Sequence, residues 1–266
     1  MADATVKHFI FVRFFPYELP NFQHDIFDTA FLSAQVSLAK NNLLKSLENQ
    51  TNKNFEICFW ANGRYFDNPE YEFIFTELRD CTALTVKFIE KDDMADLVKV
   101  AYNEYDFVIQ SRMDFDDFVH KEAVADVQSK VSECDRMLSY GYCRGYTYFN
   151  KKLYPFYIEY DKRGHIGLLQ SLISESAFAK KIPYVGAYTF NHVKIKPSLK
   201  EFLENNNVAF AENMFQQNVS TNAFIYFRHD TTLSNHKPRG KSITKITKKQ
   251  LEDEFGFAGY ELKSIK

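Results

Sequence analysis

The chain has 266 residues, a formal net charge of -2 and 45% hydrophobic residues, which supply the core of one large globular domain and exclude a disordered chain. The near-neutral balance argues against nucleic acid as the main partner, because that role requires a strongly basic face. No apolar stretch has the length to cross a bilayer, and Phe9-Ile10-Phe11-Val12 is too short for a signal segment.

His8 to Phe14 is a continuous apolar strand, Asp28 to Leu47 carries apolar residues at helical spacing, and Asn54 to Trp60 is again a strand, giving a β-α-β opening. Pro69 to Leu78 reads as helix, Ala83 to Ile89 as strand, Asp93 to Tyr102 as helix and Asp106 to Gln110 as strand. Helices between short apolar strands imply a largely parallel sheet covered on both faces, with ligands bound beyond the carboxyl ends of its strands. Arg136 to Tyr160 is dense in Tyr and Phe and predicts antiparallel strands, with Gly141 to Gly145 and Leu153 to Phe156 breaking it into hairpin-like pieces. Gly164 to Ser174 continues as strand or loop, and Ser174 is placed as the cap of a short helix through Lys181. Tyr184 to Phe190 reads as a strand ending at Asn191-His192, and Ser198 to Asn205 as a short helix. A basic stretch from Lys237 to Lys249 precedes a helix-like Gln250 to Phe255. Cys58, Cys81, Cys134 and Cys143 lack CxxC spacing and lie in or near apolar segments, so they read as free thiols in a reducing compartment.

The segment Ser111-Arg112-Met113-Asp114-Phe115-Asp116-Asp117 carries the chemistry. Its carboxylates crowd the exit of a buried strand, which asks for a cation. Alternation puts Asp114 and Asp116 on one side of an extended segment and turns Asp117 to the other. Oxygen ligands of this kind suit Mg2+ or Mn2+. The ordinary alternative is a helix N-cap, with Asp116 or Asp117 satisfying free amides ahead of Phe118 to Ala123.

Together with Phe9 to Phe14 and Ser46-Leu47-Glu48-Asn49-Gln50-Thr51-Asn52-Lys53-Asn54-Phe55-Glu56, this segment resembles the rhamnosyltransferase family and, more broadly, the nucleotide-sugar glycosyltransferases of the GT-A fold. His192 and Gln217 to Ser220 resemble the family's downstream signals, so the resemblance spans most of positions 8 to 220. Phe115 departs from the family, which more usually has a small or polar residue between the aspartates. The resemblance implies a GT-A-like, Rossmann-like mixed α/β sheet flanked by helices with a Tyr/Phe-rich antiparallel second half. Residues 1–220 would form the glycosyltransferase domain and 221–266 a basic C-terminal extension.

The implied activity is metal-dependent, inverting transfer of a sugar from a nucleotide-diphosphate donor to a glycan or lipid-linked acceptor, such as rhamnosyl transfer in surface-polysaccharide synthesis. Asp114, Asp116, Asp117 and His192 are the implied ligands of Mn2+ or Mg2+, with Asp116 in the catalytic set. Arg13, Arg112 and Asp114 are the expected donor-binding residues. Glu175, at the start of a short helix, is the expected general base, with Glu159 and Asp161 as substitutes. Tyr146 and Tyr148 are acceptor-cleft candidates. Lys237, Arg239, Lys241, Lys245, Lys248 and Lys249 offer peripheral contact with an anionic membrane to a cytoplasmic protein. A metal-dependent phosphodiesterase or nucleotidyltransferase could use the same carboxylates, and a noncatalytic sugar-binding protein is the third class.

Overall fold

The computed structural model describes residues 4–15, 24–157, 168–190, 194–228 and 246–257. The first strand, β1 (Val6–Phe14), lies between β2 (Glu56–Ala61) and β4 (Phe107–Asp114), parallel to both. Both faces of these strands are covered, which is why they read as unbroken apolar runs rather than alternating ones. β3 (Val86–Ile89) adds to the far side of β2, again parallel.

On one face, Ile10, Val12, Phe14, Ile57 and Phe59 pack against α1 (Thr29–Ala39), α2 (Lys45–Glu48) and α4 (Glu72–Asp80). On the other, Phe9, Phe11, Cys58, Trp60 and Val108 pack against α5 (Asp93–Glu104) through Met94, Val98, Ala101 and Tyr102. Asp28 starts α1 by accepting from the Phe31 amide at 2.7 Å, and Asn62 caps the short α3 (Gly63–Asp67) through the Arg64 amide. Lys40–Leu44, between α1 and α2, is π-helical.

Beyond β4 the sheet becomes mixed. β8 (Gln170–Glu175) runs antiparallel to β4, and β6 (Met137–Phe149) runs antiparallel to β8. β9 (Phe215–Phe227) lies parallel to β6 and pairs with the two-residue β5 (Phe118–Val119), so the strand order is β3-β2-β1-β4-β8-β6-β9-β5. β7 (Lys152–Tyr157) pairs with the outer half of β6. The short α6 (Ala123–Ser129) and α7 (Ser176–Ala179) follow β5 and β8. α8 (Ile195–Asn205) packs Ile195, Leu199 and Leu203 on Met137, Leu172 and Phe215.

Three local expectations are corrected. The hairpin turn falls at Asn150-Lys151, both at positive φ (48° and 61°), the backbone that twists a two-residue turn the same way as its strands. Gly141 and Gly145 lie inside β6, and Gly145 is there because Phe224 presses against it: a Cβ would meet that ring and its carbonyl oxygen at 2.6 Å. Tyr184 to Phe190 is turn rather than strand, closed by Thr189, whose N–H donates to the Gly186 carbonyl and whose hydroxyl accepts from the Gly186 amide.

β9 itself had no strand reading, because its first half is polar. It passes through position 220 without interruption. α9 (Lys248–Phe255) begins with a Thr247/Gln250 capping box and ends at Gly256 (φ 69°). It packs Leu251 and Phe255, with Phe257 beyond it, into the main core. The four cysteines are free thiols, three of them buried.

Candidate functional site

The parallel strands β1, β2 and β4 end at one edge, and the side chains that leave on the α5 face there are Trp60, Arg13, Arg112 and Asp114. Arg13 and Asp114 are register partners, and the Arg13 guanidinium donates to the Asp114 carboxylate at 2.9 Å. β4 is longer than expected: it carries Ser111, Arg112 and Met113 as buried strand residues and stops at Asp114. Phe115 and Asp116 form the turn that follows. Strand alternation therefore does not extend to Asp116.

The turn is fixed by an aromatic anchor and a polar stripe. Phe115 is buried with its ring centroid 5.2 Å from Phe14 and 5.3 Å from Phe15, which accounts for a large apolar residue between the aspartates. Asn42, from the π-helical turn, donates to the Asp116 carbonyl at 2.8 Å. One turn on, Ser46 accepts from the Val119 amide at 3.4 Å. Gln50 then donates to the His120 carbonyl at 3.0 Å and accepts from the Val124 amide at 3.0 Å. Asn42, Ser46 and Gln50 are all buried and spaced by four, so one helix face and its exit hold the backbone that carries the carboxylates. Polar residues at four-residue spacing inside an apolar helical stretch were the available signal, and sequence reasoning passed over them.

Asp117 is anchored to β9. It is buried, and one carboxylate oxygen accepts from the Phe227 amide at 2.8 Å while the other has no hydrogen-bond partner. Burial, then the charges of Asp116 and Asp114, push its pKa well above the usual carboxylate range. The Phe227 amide and the Arg228 charge oppose that rise. Asp117 thus ties the turn to β9 and does not cap α6, whose N-cap position is Glu122.

Arg112 is buried with its guanidinium 4.6 Å from the Tyr188 ring centroid. Tyr188 comes from the turn after α7. Its hydroxyl lies 2.9 Å from the Met113 carbonyl and 3.1 Å from the Phe11 carbonyl and shares its one proton between them, and its ring meets Trp60 edge-on at 5.2 Å. Burial pushes the Tyr188 hydroxyl up to about 12; Asp114 adds to the rise, while Arg112 and Arg13 oppose it, so the phenol stays protonated. Sequence reasoning missed Tyr188 because it read that stretch as a strand.

The expected base is not at this edge. Glu175 ends β8 opposite Phe107, the first residue of β4, so the length of β4, about 23 Å for seven steps, separates it from Asp114. The antiparallel direction of β8 carries its end to the wrong side of the sheet. Tyr146 and Tyr148 are corrected too. Tyr146 is buried and accepts from Asn222, and Tyr148 stacks on Phe227 at 5.3 Å, so both belong to the β6–β9 core. His192, Glu159, Asp161 and the basic residues from Lys237 to Lys245 lie outside the described residues. Among the described residues no group of three His, Cys, Asp or Glu side chains is arranged to hold a metal, and no helix is long and apolar enough to cross a membrane.

A family model described as "Putative rhamnosyl transferase" matches residues 21–226. A search of curated proteins finds no match. Among solved structures the chain is similar to S. aureus TarS 1-349, with 16% identity over 83% of this chain and 60% of that one and a TM-score of 0.40. The same protein in complex with UDP gives 14% identity, coverage of 84% and 61%, and a TM-score of 0.42. A cytidylyltransferase from Leptospira borgpetersenii gives 13%, 82% and 76%, and 0.42. The chain spans 60% of the length of the first of these.

Proposed function

Because the chain belongs to the rhamnosyl transferase family, we propose that it transfers a sugar from a nucleotide-diphosphate donor to a hydroxyl of a glycan or lipid-linked acceptor, with deoxythymidine diphosphate rhamnose as the first donor to test. The observation that carries this reading is the grouping of Arg13, Arg112, Asp114 and the Asp116 turn at the carboxyl edge of the parallel strands. Open α/β sheets bind phosphorylated ligands at such an edge.

In the proposed reaction the bond between the anomeric carbon and the diphosphate oxygen breaks. A bond to the acceptor oxygen forms from the opposite face, the acceptor hydroxyl passes its proton to water, and the nucleoside diphosphate departs with the bonding electrons. Arg13 and Arg112 offer planar, permanently charged donors to the phosphates. A cation nearby fits the donor set, since Asp117 keeps a buried oxygen without a hydrogen-bond partner and the charges of Asp116 and Asp114 add to the rise that burial gives its pKa. Asp114 and Asp116 would hold Mn2+ or Mg2+, which when bound neutralises charge growing on the leaving diphosphate.

The test is incubation with a panel of nucleotide sugars and acceptors, with Mn2+ and with chelator, followed by product analysis. Metal-dependent release of nucleoside diphosphate together with a glycosidic product is the expected result. Release of nucleoside monophosphate or pyrophosphate would replace transfer with phosphodiester or nucleotidyl chemistry.

A further inference from the structure

Gln170 and Arg112 face each other directly across the antiparallel β4–β8 pair, and the Gln170 carbonyl lacks the partner its chemistry requires. Side chains opposite each other in such a pair leave on the same face with Cβ atoms about 5 Å apart. Gln170 is 1% exposed and its Oε1 has no hydrogen-bond partner. Arg112 is 8% exposed, and its contact among the described residues is the Tyr188 ring, with no hydrogen bond or ion pair. A buried carbonyl oxygen without a partner stands beside a guanidinium that lies on an aromatic face. The carbonyl is costly to leave unpaired.

We infer that Gln170 is a positioning residue for Arg112: when a nucleoside diphosphate draws the guanidinium off Tyr188, the Gln170 carbonyl takes one of its N–H groups and holds the remaining ones toward the phosphates. This rests on the proposed donor class. It adds a two-position arginine, stacked on Tyr188 without ligand and bonded to Gln170 with it. An arginine has five N–H donors in a fixed fork, so one bond to Gln170 leaves enough to meet a phosphate bidentately. Neither residue changes charge, and no bond is made or broken.

Trp60 supplies the readout. It is the chain's single tryptophan and its ring touches Tyr188, so its emission reports on what leaves or enters the Arg112–Tyr188 stack. The probes are dTDP and UDP, titrated in the presence of Mn2+ against the full chain, with affinity also measured by calorimetry. Wild type is expected to bind at least one of them with a change in Trp60 emission. Gln170→Met should weaken that binding by about tenfold, the worth of one hydrogen bond to a charged group. Its urea midpoint should equal or exceed that of wild type, because the unpaired buried carbonyl is gone.

In an Arg112→Met background, Gln170→Met should have no further effect on affinity, since the residue acts through the arginine. The inference is overturned if Gln170→Met leaves affinity unchanged. It is equally overturned if the substitution weakens binding as much without Arg112 as with it, which would make Gln170 a scaffold residue. A wild-type chain that binds neither nucleotide by either measurement removes the glycosyl-transfer reading itself, and the inference with it.

Discussion

Arg13 and Asp114 hold the same register position on neighbouring parallel strands, and their side chains meet at 2.9 Å at the edge where both strands end. Both are roughly a quarter exposed, so the pair adds on the order of 0–1 kcal/mol to stability. Its consequence is geometric: the carboxylate is aimed, and the guanidinium stands beside it.

Arg13→Gln should therefore lower the free energy of unfolding by no more than about 1 kcal/mol, while weakening nucleoside diphosphate binding by about tenfold. Urea titration and calorimetry separate the two effects. A loss of several kcal/mol with unchanged nucleotide affinity would make Arg13 a scaffold residue.

Asp116→Asn is expected to abolish metal-dependent transfer and leave the fold intact. Asn42 holds the backbone carbonyl of residue 116, not its carboxylate, so the turn keeps that support. A folded variant with wild-type turnover and an unchanged Mn2+ response would end the assignment.

Glu175→Gln should keep turnover within about twofold of wild type, because the length of β4 lies between it and the aspartates. A drop of 100-fold or more in kcat at unchanged donor affinity would bring Glu175 back as the base.

His8 predicts the acid response of the fold. It is fully buried, and burial lowers its pKa from 6.5 to about 3. Its Nδ1 accepts from the Gln128 amide, so Nε2 carries the proton and donates to Ser111 at 2.8 Å; Ser111 lies 2.6 Å from Ser171. The native state keeps His8 neutral while the unfolded chain binds a proton. Its contribution is thus fully present above pH 6.5 and is lost as pH falls from 6.5 toward 3, at about 1.4 kcal/mol per pH unit. Urea denaturation across that window should show the stability difference between wild type and His8→Gln shrinking with acid. A constant difference would contradict the burial of a neutral imidazole.

Gly145→Ala should destabilise by about 1–3 kcal/mol, because the new methyl meets Phe224 and its backbone oxygen at 2.6 Å inside the β6–β9 pair. An unchanged urea midpoint would mean the two strands separate more easily than this packing allows.

The parallel half was legible because its physics is local. Strands buried on both faces are unbroken apolar runs, as in Phe9 to Val12, and the helices between them repeat every three or four residues. The carboxylate cluster was legible too, since like charges at the end of an apolar run stand out. What escaped depends on partners distant in sequence. β9 shows little apolar signal before Ala223 because its pairing with β6 supplies the stability, and the direction of β8, which carries Glu175 away from the site, is set by β4 and β6 on either side. Asp117 and Asp116 are neighbours in sequence with opposite fates, decided by an amide of Phe227 that no local pattern reveals.

That amide has a consequence for how the molecule is made. Asp117 and Phe227 are 110 positions apart, and β5 completes its pairing only when β9 arrives. A ribosome releases the aspartate turn well before the strand that anchors it. Such a distant closure slows folding and leaves the nascent sheet with an open border on which other chains can settle. Competence at the carboxylate edge is thus acquired late, when β9 emerges, so a shortened translation product ending before Phe227 would carry the whole acidic motif and still lack the amide that holds Asp117.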